Sequence, residues 1–295
     1  MAGNLNVTWI HGSPNCSRNT DPPIQVHRLD QDTIILRQNK CSEPGTAAQP
    51  GPSFEGPFMY LLIGANRALL LDTGASRSPA LFPLASTVDK LLRDHAATAG
   101  GSAVPLLIAH SHNHGDHSAG NDQFRGRPNT TIIPPGLENV KAFFGLPNWP
   151  EGKATINLGN RLVDVIPTPG HEDSHIALYD RNTKILLTGD TLYPGLLVVE
   201  DWPAYVRSIA RLKTFVAANP ITFILGSHVE MTNQPGIWFG LPALFQPGEH
   251  VLQLERRHLL ELHDALGAIG VHPRTDRHAE FIIYPAGEPL PPLRP

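Results

Sequence analysis

The sequence predicts an α/β protein in which residues 1–295 form a single domain with two similar halves. Two observations support this class. Short apolar runs that end near Gly, Asp or His alternate with stretches of helical periodicity, and no linker of domain-separating length interrupts them. A hydrophobic content of 41% over 295 residues is sufficient for one sizeable core. We expect this core to span residues 24–284, with a loose, proline-rich tail at 285–295.

The first half begins with two predicted β-hairpins, at residues 24–37 and 58–72, because turn-forming residues interrupt their apolar runs. The segment between them, residues 41–56, is rich in Pro, Gly and Ser and is expected to be a loop. Helical spacing of leucine and valine predicts a helix at 84–97. The elements that follow are expected to be a strand at 104–109, a helix at 118–124, a strand at 130–133 and a helix at 137–145.

The second half repeats this alternation of strands and helices. Its apolar runs predict strands at 154–166 and 176–188, each folded around a turn. Helical periodicity extends over 202–218 and a buried strand follows at 221–225. A further helix is predicted at 248–266, and a last strand at 281–284.

Charge and hydropathy exclude several classes of function. A net charge of −4 and a pI near 6.4 provide no basic surface for nucleic acid. No apolar run reaches eighteen residues, and the N-terminal segment lacks the pattern of a secretory signal. We therefore expect a cytoplasmic protein with no membrane or nucleic-acid partner. For Cys16 and Cys41, two free thiols are favoured over a bridge, because no signal for an oxidising compartment is visible.

The fifteen histidines concentrate at the ends of predicted strands. Apolar runs precede His110, His171 and His228, so the loops at one edge of the sheets are expected to carry the functional groups. The segment from His110 to His117 has four histidines and one aspartate within eight residues. Because crowded imidazoles repel each other once protonated, a metal ion is the simplest reason to gather them.

Alternation along the cluster predicts how its members divide. His112 and His114 are two residues apart and point the same way in an extended chain, so both can reach one ion. Asp116 and His117 must turn away from that line, toward a second ion. Upstream, Asp72 follows an apolar run and precedes Thr73 and Gly74. Taken alone, this carboxylate is more simply interpreted as a turn or helix cap.

Residues 112–117, with the sequence His-Asn-His-Gly-Asp-His, resemble the His-x-His-x-Asp-His motif of the metallo-β-lactamase superfamily. A Thr-Pro-Gly-His segment ending at His171, a Gly-Asp segment ending at Asp190 and a strand-end His228 follow in the order typical of that family. The segment from Asp72 to Gly74 resembles its first strand-end motif. The resemblance spans about residues 58–228 and implies an αββα sandwich, in which helices flank two mixed β-sheets that face each other.

The resemblance also implies a metal site and a nucleophile. The first ion would be held by His112, His114 and His171, the second by Asp116, His117 and His228, and Asp190 would bridge them. Asp72 would orient the motif loop by hydrogen bonds. Seven side chains for two ions leave positions open for a bridging hydroxide and for substrate. Zinc is favoured as the metal, and iron, manganese or cobalt also suit nitrogen and oxygen ligands.

The sequence offers two candidate catalytic residues and two further histidines near the ligand motifs. Asp116 is a candidate for passing a proton to the leaving group. Tyr193 resembles the tyrosine of the Asp-x-x-Tyr arrangement in acyl-homoserine lactonases, where the phenol binds the carbonyl or the oxyanion. The alternative for Tyr193 is an ordinary pocket-wall residue. His110 is interpreted as structural or as a supporting residue of the site, and His175 is left unassigned.

Asp190 separates this chain from true class B β-lactamases, which lack the bridging aspartate, and favours the branch of glyoxalase II, lactonases and thioesterases. The function predicted is hydrolysis of a hydrophobic ester, lactone or thioester, a small-molecule acyl substrate. Alternatives are a phosphodiesterase of the same fold, β-lactam hydrolysis and a non-catalytic sensor. Apolar segments at residues 143–149, 193–202 and 237–245 are expected to line the site, to fill the core or to form a subunit contact in a homo-oligomer.

Overall fold

A computed structural model describes residues 4–46, 49 and 51–294, and its contacts divide the chain into two compact units. The first unit consists of the described residues of Met1–Pro135 with Asn157–Leu162 and Pro242–Gln246. The second consists of those of Gly136–Ile156, Val163–Leu241 and Pro247–Pro295. The organisation of the whole chain as a single domain stays a prediction.

The first unit is built on a six-stranded mixed sheet. Its strands follow chain order across the sheet and are β1 (Ile24–Arg28), β2 (Thr33–Gln38), β3 (Phe58–Ile63), β4 (Ala68–Leu71), β5 (Leu106–Ala109) and β6 (Thr130–Ile132). The first four pair antiparallel, whereas β4, β5 and β6 run parallel. Helix α1 (Leu84–Ala99) makes the crossover from β4 to β5, and its apolar stripe packs into the core of this sheet. The parallel ends of β4 and β5 therefore lie side by side.

Two short helical segments follow β5. Helix α2 (Gly115–Ser118) leads into a 3₁₀ helix at Ala119–Phe124, where the sequence predicted one helix at 118–124. Beyond β6, the second unit begins with helix α3 (Leu137–Phe144), which ends at Gly145 in the left-handed conformation.

The second unit has another six-stranded mixed sheet, with strands β7 (Ala154–Asn157), β8 (Leu162–Pro167), β9 (Ile176–Asp180), β10 (Ile185–Gly189), β12 (Phe223–Gly226) and β13 (Gln253–Leu254). Their order across the sheet is β13-β12-β10-β9-β8-β7. Helices α4 (Trp202–Ala218) and α5 (Arg256–Ile269) bury their apolar stripes in the core of this unit. As in the first unit, a helix connects two parallel neighbours, here β10 and β12.

The second unit also has a three-stranded sheet, of which only the strand at residues 281–284 was predicted. It joins β11 (Leu196–Val199) to β15 (Ile282–Pro285) in parallel, and β14 (Asp276–Arg277) pairs antiparallel with β15. Trp238 packs with this sheet in a small apolar cluster. Its backbone N–H donates to Leu293 O and its indole N–H to Pro292 O, at 3.2 and 3.0 Å. The tail predicted to be loose is thus tied down at these two residues.

The predicted fold class is confirmed: the chain is an α/β protein with mixed sheets and flanking helices. The largest error in a predicted boundary is at the start of one helix. The helix predicted at 248–266 begins at Arg256, because Gln253 and Leu254 pair with β12 instead and Glu255 caps the helix with His258. Within the described part of the chain, no helix has the length and apolar character needed to cross a membrane.

The prediction of two free thiols is wrong, because Cys16 and Cys41 form a disulfide with a Cα–Cα distance of 5.1 Å. The bond joins the segment before β1 to the segment after β2, so local sequence spacing gave no sign of it. Disulfides persist in oxidising compartments and are rare in cytosolic proteins. The bond therefore weighs against the cytoplasmic location predicted above.

Removing this disulfide is expected to lower the free energy of unfolding by about 3 kcal/mol, because a closed loop of 25 residues restricts the unfolded chain. The change is Cys16→Ser with Cys41→Ser, and urea unfolding of the metal-free protein with and without reductant measures it. We expect reductant to destabilise the wild type and to leave the double variant unaffected. An identical urea midpoint for the reduced and oxidised wild type would contradict the prediction.

Candidate metal centre

In the first unit, the change from strand to helix separates the histidine motif into two pairs. His114 is extended, with φ −90° and ψ 158°, and helix α2 starts at the next residue. His112 Nε2 lies 3.0 Å from His114 Nδ1, and His117 Nε2 lies 3.0 Å from Asp116 Oδ2. Two ligands of one tetrahedral zinc ion are about 3.4 Å apart, given bonds of 2.0–2.2 Å. The separations within each pair therefore suit a shared ion.

Asp72 directly follows β4 and orients this motif through hydrogen bonds. Its carboxylate is fully buried and accepts hydrogen bonds from the Ser111 backbone N–H at 2.7 Å and the Ser111 hydroxyl at 2.9 Å. His117 Nδ1 is 3.0 Å from the same carboxylate and donates to it. The backbone of Asp72 has a φ of 67°, a left-handed conformation that few residues other than Gly, Asn and Asp adopt readily. The geometry thus favours the orienting role over a simple cap.

These hydrogen bonds fix which ring nitrogens are left for metal. Because Asp72 accepts from His117 Nδ1, the Nε2 lone pair of His117 points away from the buried carboxylate. The Ser111 hydroxyl gives its proton to Asp72, so it accepts from His112 Nδ1 at 3.0 Å. His112 therefore also keeps Nε2 as its ligand atom. Ser111 was not singled out from the sequence, although its position between β5 and the motif is a signal for such a role.

In the second unit, three strand ends converge on one carboxylate. Asp190 follows β10, His171 comes after β8 and His228 comes after β12. Asp190 Oδ2 lies 3.6 Å from His171 Nε2 and 3.4 Å from His228 Nε2, and all three side chains are buried. His171 Nδ1 donates to Val198 O at 2.8 Å, which leaves Nε2 facing the carboxylate. His171, Asp190 and His228 thus present ligand atoms at separations that a metal ion could share.

His175 connects the two ligand loops of the second unit. The ring is fully buried, and its Nε2 accepts the backbone N–H of Asp190 at 3.1 Å. Nδ1 must then carry the proton, and it donates to Thr168 Oγ1 at 2.9 Å. Thr168 lies in the loop that delivers His171. No role was assigned to His175 from the sequence. Its even spacing of four residues from His171, which places both on the same side of an extended chain, was the signal available.

Replacing His175 with Ala is expected to weaken metal binding by about 10–100-fold, because partners that orient metal ligands have effects of this size. Competition with a chromogenic chelator measures the affinity. His175→Gln is the conservative variant, since its amide can accept from Asp190 and donate to Thr168, and we expect it to recover part of the loss. An unchanged metal affinity in His175→Ala would contradict the positioning role.

His110 lies outside the site, in agreement with its structural interpretation. Its ring is buried and Nε2 donates to Asn121 Oδ1 at 2.9 Å. Burial lowers the pKa of His110 below its ordinary value, because the charged imidazole is poorly solvated there. The neutral ring therefore supports the loop without contributing a ligand.

Tyr193 has its hydroxyl directed toward the protein. The hydroxyl donates to Leu196 O at 2.6 Å and lies 3.3 Å from Glu230 Oε2, and the side chain is only 3% exposed. Glu230 also accepts the Leu196 backbone N–H at 2.8 Å. This arrangement favours the pocket-wall alternative over the predicted contact with a substrate carbonyl, because the phenolic proton is already donated within its own loop.

The apolar segments expected near the site differ in exposure. Trp202 and Trp238 are buried in the cores of the second unit, which supports the core-filling alternative for both. Phe143 and Phe245 are more than one third exposed. For these two exposed rings, lining the site or forming a subunit contact stays a prediction.

Similarity to known proteins identifies the family of this chain. Residues 53–266 match the metallo-beta-lactamase superfamily, so the chain belongs to that superfamily and is a metal-dependent hydrolase. An acyl-coenzyme A thioesterase, MBLAC2 of Bos taurus, is 30% identical over 213 residues, which cover 62% of this chain and 71% of the relative. A hydroxyacylglutathione hydrolase of Mesorhizobium japonicum is 30% identical over 121 residues, 40% of this chain and 47% of the relative.

The fold has a counterpart among solved structures. A metallo-beta-lactamase from Hirschia baltica superposes with a TM-score of 0.51 at 15% identity, over 70% of this chain and 91% of that one. At this identity the likeness shows the fold alone. The predicted relation to the glyoxalase II and thioesterase branch is confirmed by the curated relatives, which have those activities in their names.

Proposed function

We propose that the protein hydrolyses thioesters with two divalent metal ions. In this proposal His112, His114 and His171 hold one ion and Asp116, His117 and His228 hold the other. Asp190 contributes to both ions. Zinc is the metal we favour, with iron or manganese as alternatives, because the donor set consists of imidazole nitrogens and carboxylate oxygens.

The observation that carries the proposal is the position of Asp190. One oxygen of its carboxylate is within 3.6 Å of His171 Nε2 and within 3.4 Å of His228 Nε2. His171 and His228 belong to different ions in the proposed ligand set. A carboxylate beside both is suited to bridging, which favours a binuclear hydrolase.

Two bound cations would supply an activated water at neutral pH and would polarise the carbonyl of the substrate. The residues of the chain position and hold these groups. Hydrogen bonds to Asp72 and Val198 O orient His117 and His171, so that each presents Nε2. Asp116 is 22% exposed, whereas Asp190 is 9% exposed. We therefore propose that Asp116 also passes a proton to the leaving group.

The choice of a thioester rests on the two curated relatives. Acyl-coenzyme A and hydroxyacylglutathione are both thioesters, in which an acyl carbon is bonded to sulfur. Attack of water on that carbon breaks the carbon–sulfur bond and produces a carboxylic acid and a thiol. Esters and lactones require the same attack and are the next substrates to examine.

Elemental analysis of the purified protein, combined with a substrate panel, tests the proposal. We expect close to two equivalents of metal per chain and turnover of acyl thioesters. The panel includes esters, lactones, a phosphodiester and a β-lactam as competing substrates. Turnover of the phosphodiester alone would replace the proposal by a phosphodiesterase, and turnover of the β-lactam alone by a lactamase. Metal binding without turnover of any compound would favour a sensor.

A further inference from the structure

A cleft of about 690 Å³ lies beside Asp116 in the first unit. This volume is within the range of small-molecule sites, 300–1,000 Å³. Four of the residues that line it are apolar, namely Pro52, Phe54, Ala75 and Ala119. The cleft therefore offers an apolar surface directly beside a proposed metal ligand.

One wall of this cleft is held in place by Lys40. The side chain of Lys40 is 1% exposed, and its ammonium donates to Phe54 O at 2.7 Å and Glu55 O at 3.2 Å. The buried Ser53 hydroxyl donates to Lys40 O at 2.6 Å and accepts the backbone N–H of Glu43 at 2.9 Å. These bonds fix the segment at residues 52–55 and the backbone of Glu43 to Lys40, which lies two residues after β2. The wall is thus formed before any ligand binds, which reduces the entropy cost of binding.

The charged groups of the cleft are mainly acidic. Glu43 and Glu55 line it, Arg77 is the cation among the lining residues, and Asp116 does not count as a free charge because it is a proposed metal ligand. The Arg77 side chain is 80% exposed and lies 3.9 Å from Asp122, so an acidic partner already partly balances it. A ligand group with a negative charge would therefore meet like charges at the wall that Glu43 and Glu55 form.

We infer that the cleft beside Asp116 binds the apolar, uncharged acyl group of the substrate. Phe54 contacts the acyl chain, and Glu43 with Glu55 disfavours acyl groups that end in a carboxylate. This inference rests on the proposed thioesterase function. It specifies which acyl groups the enzyme accepts, and it assigns selectivity to a segment outside the metal-binding motif.

Acyl thioesters of one carrier thiol, with acyl chains from acetyl to dodecanoyl, test the apolar wall. For the wild type we expect kcat/KM to rise with chain length. In Phe54→Ala the ratio of kcat/KM for octanoyl to acetyl is expected to fall about tenfold, since single methylenes change discrimination by about 10–200-fold. Phe54→Leu should fall between the two. Leu81→Ala, which removes another exposed apolar side chain of this unit, is the control and should keep the wild-type ratio.

A second comparison tests the charges. The wild type is expected to hydrolyse a neutral acyl thioester about tenfold faster than one of equal length with a terminal carboxylate, as judged by kcat/KM. The double variant Glu43→Gln with Glu55→Gln should reduce this preference severalfold. Added salt should weaken the preference of the wild type, because charges near the surface are screened. Asp21→Asn removes an exposed carboxylate outside the cleft and serves as the control.

The failure of this inference differs from a failure of the proposed function. If the metal-loaded wild type hydrolyses no thioester of the series, the thioesterase proposal is wrong. If it hydrolyses them, but the Phe54 and Glu43/Glu55 variants keep the wild-type selectivity, the acyl group binds elsewhere and the inference is overturned. Circular dichroism and metal content of each variant, equal to those of the wild type, confirm that the variants are folded.

Discussion

Replacing Asp190 with Ala is expected to reduce kcat/KM by more than about 100-fold and to reduce the bound metal below two equivalents. The carboxylate lies between His171 and His228, and its loss removes the group that contacts both proposed ions. Partners that only orient metal ligands already contribute about 10–100-fold, so a bridging ligand should exceed that range. Elemental analysis and thioester turnover, measured on the same preparation, give both quantities.

Asp173→Asn is the matched control for this variant, because Asp173 is an exposed carboxylate of the same unit. It should retain wild-type turnover and metal content. A fully active Asp190→Ala protein would be incompatible with the binuclear site. Loss of activity with two equivalents of metal still bound would assign Asp190 a role in catalysis other than bridging.

Replacing Asp72 with Asn is expected to lower kcat/KM by about 10–100-fold and to weaken metal binding. Asparagine has nearly the same size as aspartate and tolerates the left-handed backbone at φ 67°, so the change mainly removes the negative charge and one acceptor oxygen. The Asp72 carboxylate accepts from both Ser111 and His117. The amide cannot accept all of these bonds, so the orientation of His117 becomes less fixed.

Two comparisons separate this effect from a general loss of stability. Asp21→Asn changes an exposed aspartate of the same unit, outside the cleft, and should leave kinetics unchanged. Urea unfolding of metal-free Asp72→Asn measures the loss of hydrogen bonds without the metal. The orienting role would be refuted if the metal-free variant were destabilised while the metal-loaded variant kept wild-type kcat/KM and metal affinity.

Local patterns were sufficient to predict much of this fold. Helix α4 has the bounds predicted from its periodicity, because Asp201 caps it by accepting the Ala204 N–H and apolar residues repeat along one face. The motif at residues 112–117 was equally visible, since its ligand types and spacing are local. The division of its members into two pairs followed from the alternation of an extended chain and the turn into α2.

Features that depend on distant parts of the chain were not predictable in this way. Strand β11 pairs with β15 across more than eighty intervening residues, and neither strand signals its partner. The hydrogen bond from Asp190 to His175 forms only when two loops fold together. The orientation of the Tyr193 hydroxyl depends in the same way on Leu196 and on the more distant Glu230. In each case the local sequence limits the alternatives, and tertiary contacts select among them.

The disulfide between Cys16 and Cys41 also determines how the enzyme can be assayed. The chain has two cysteines and both are in this bond, so the oxidised protein has no free thiol. Thioester hydrolysis releases one thiol per turnover. A thiol-reactive dye therefore reports product without a background from the protein. The assay must omit reductants such as dithiothreitol, which would react with the dye, open the disulfide and compete with the protein for zinc.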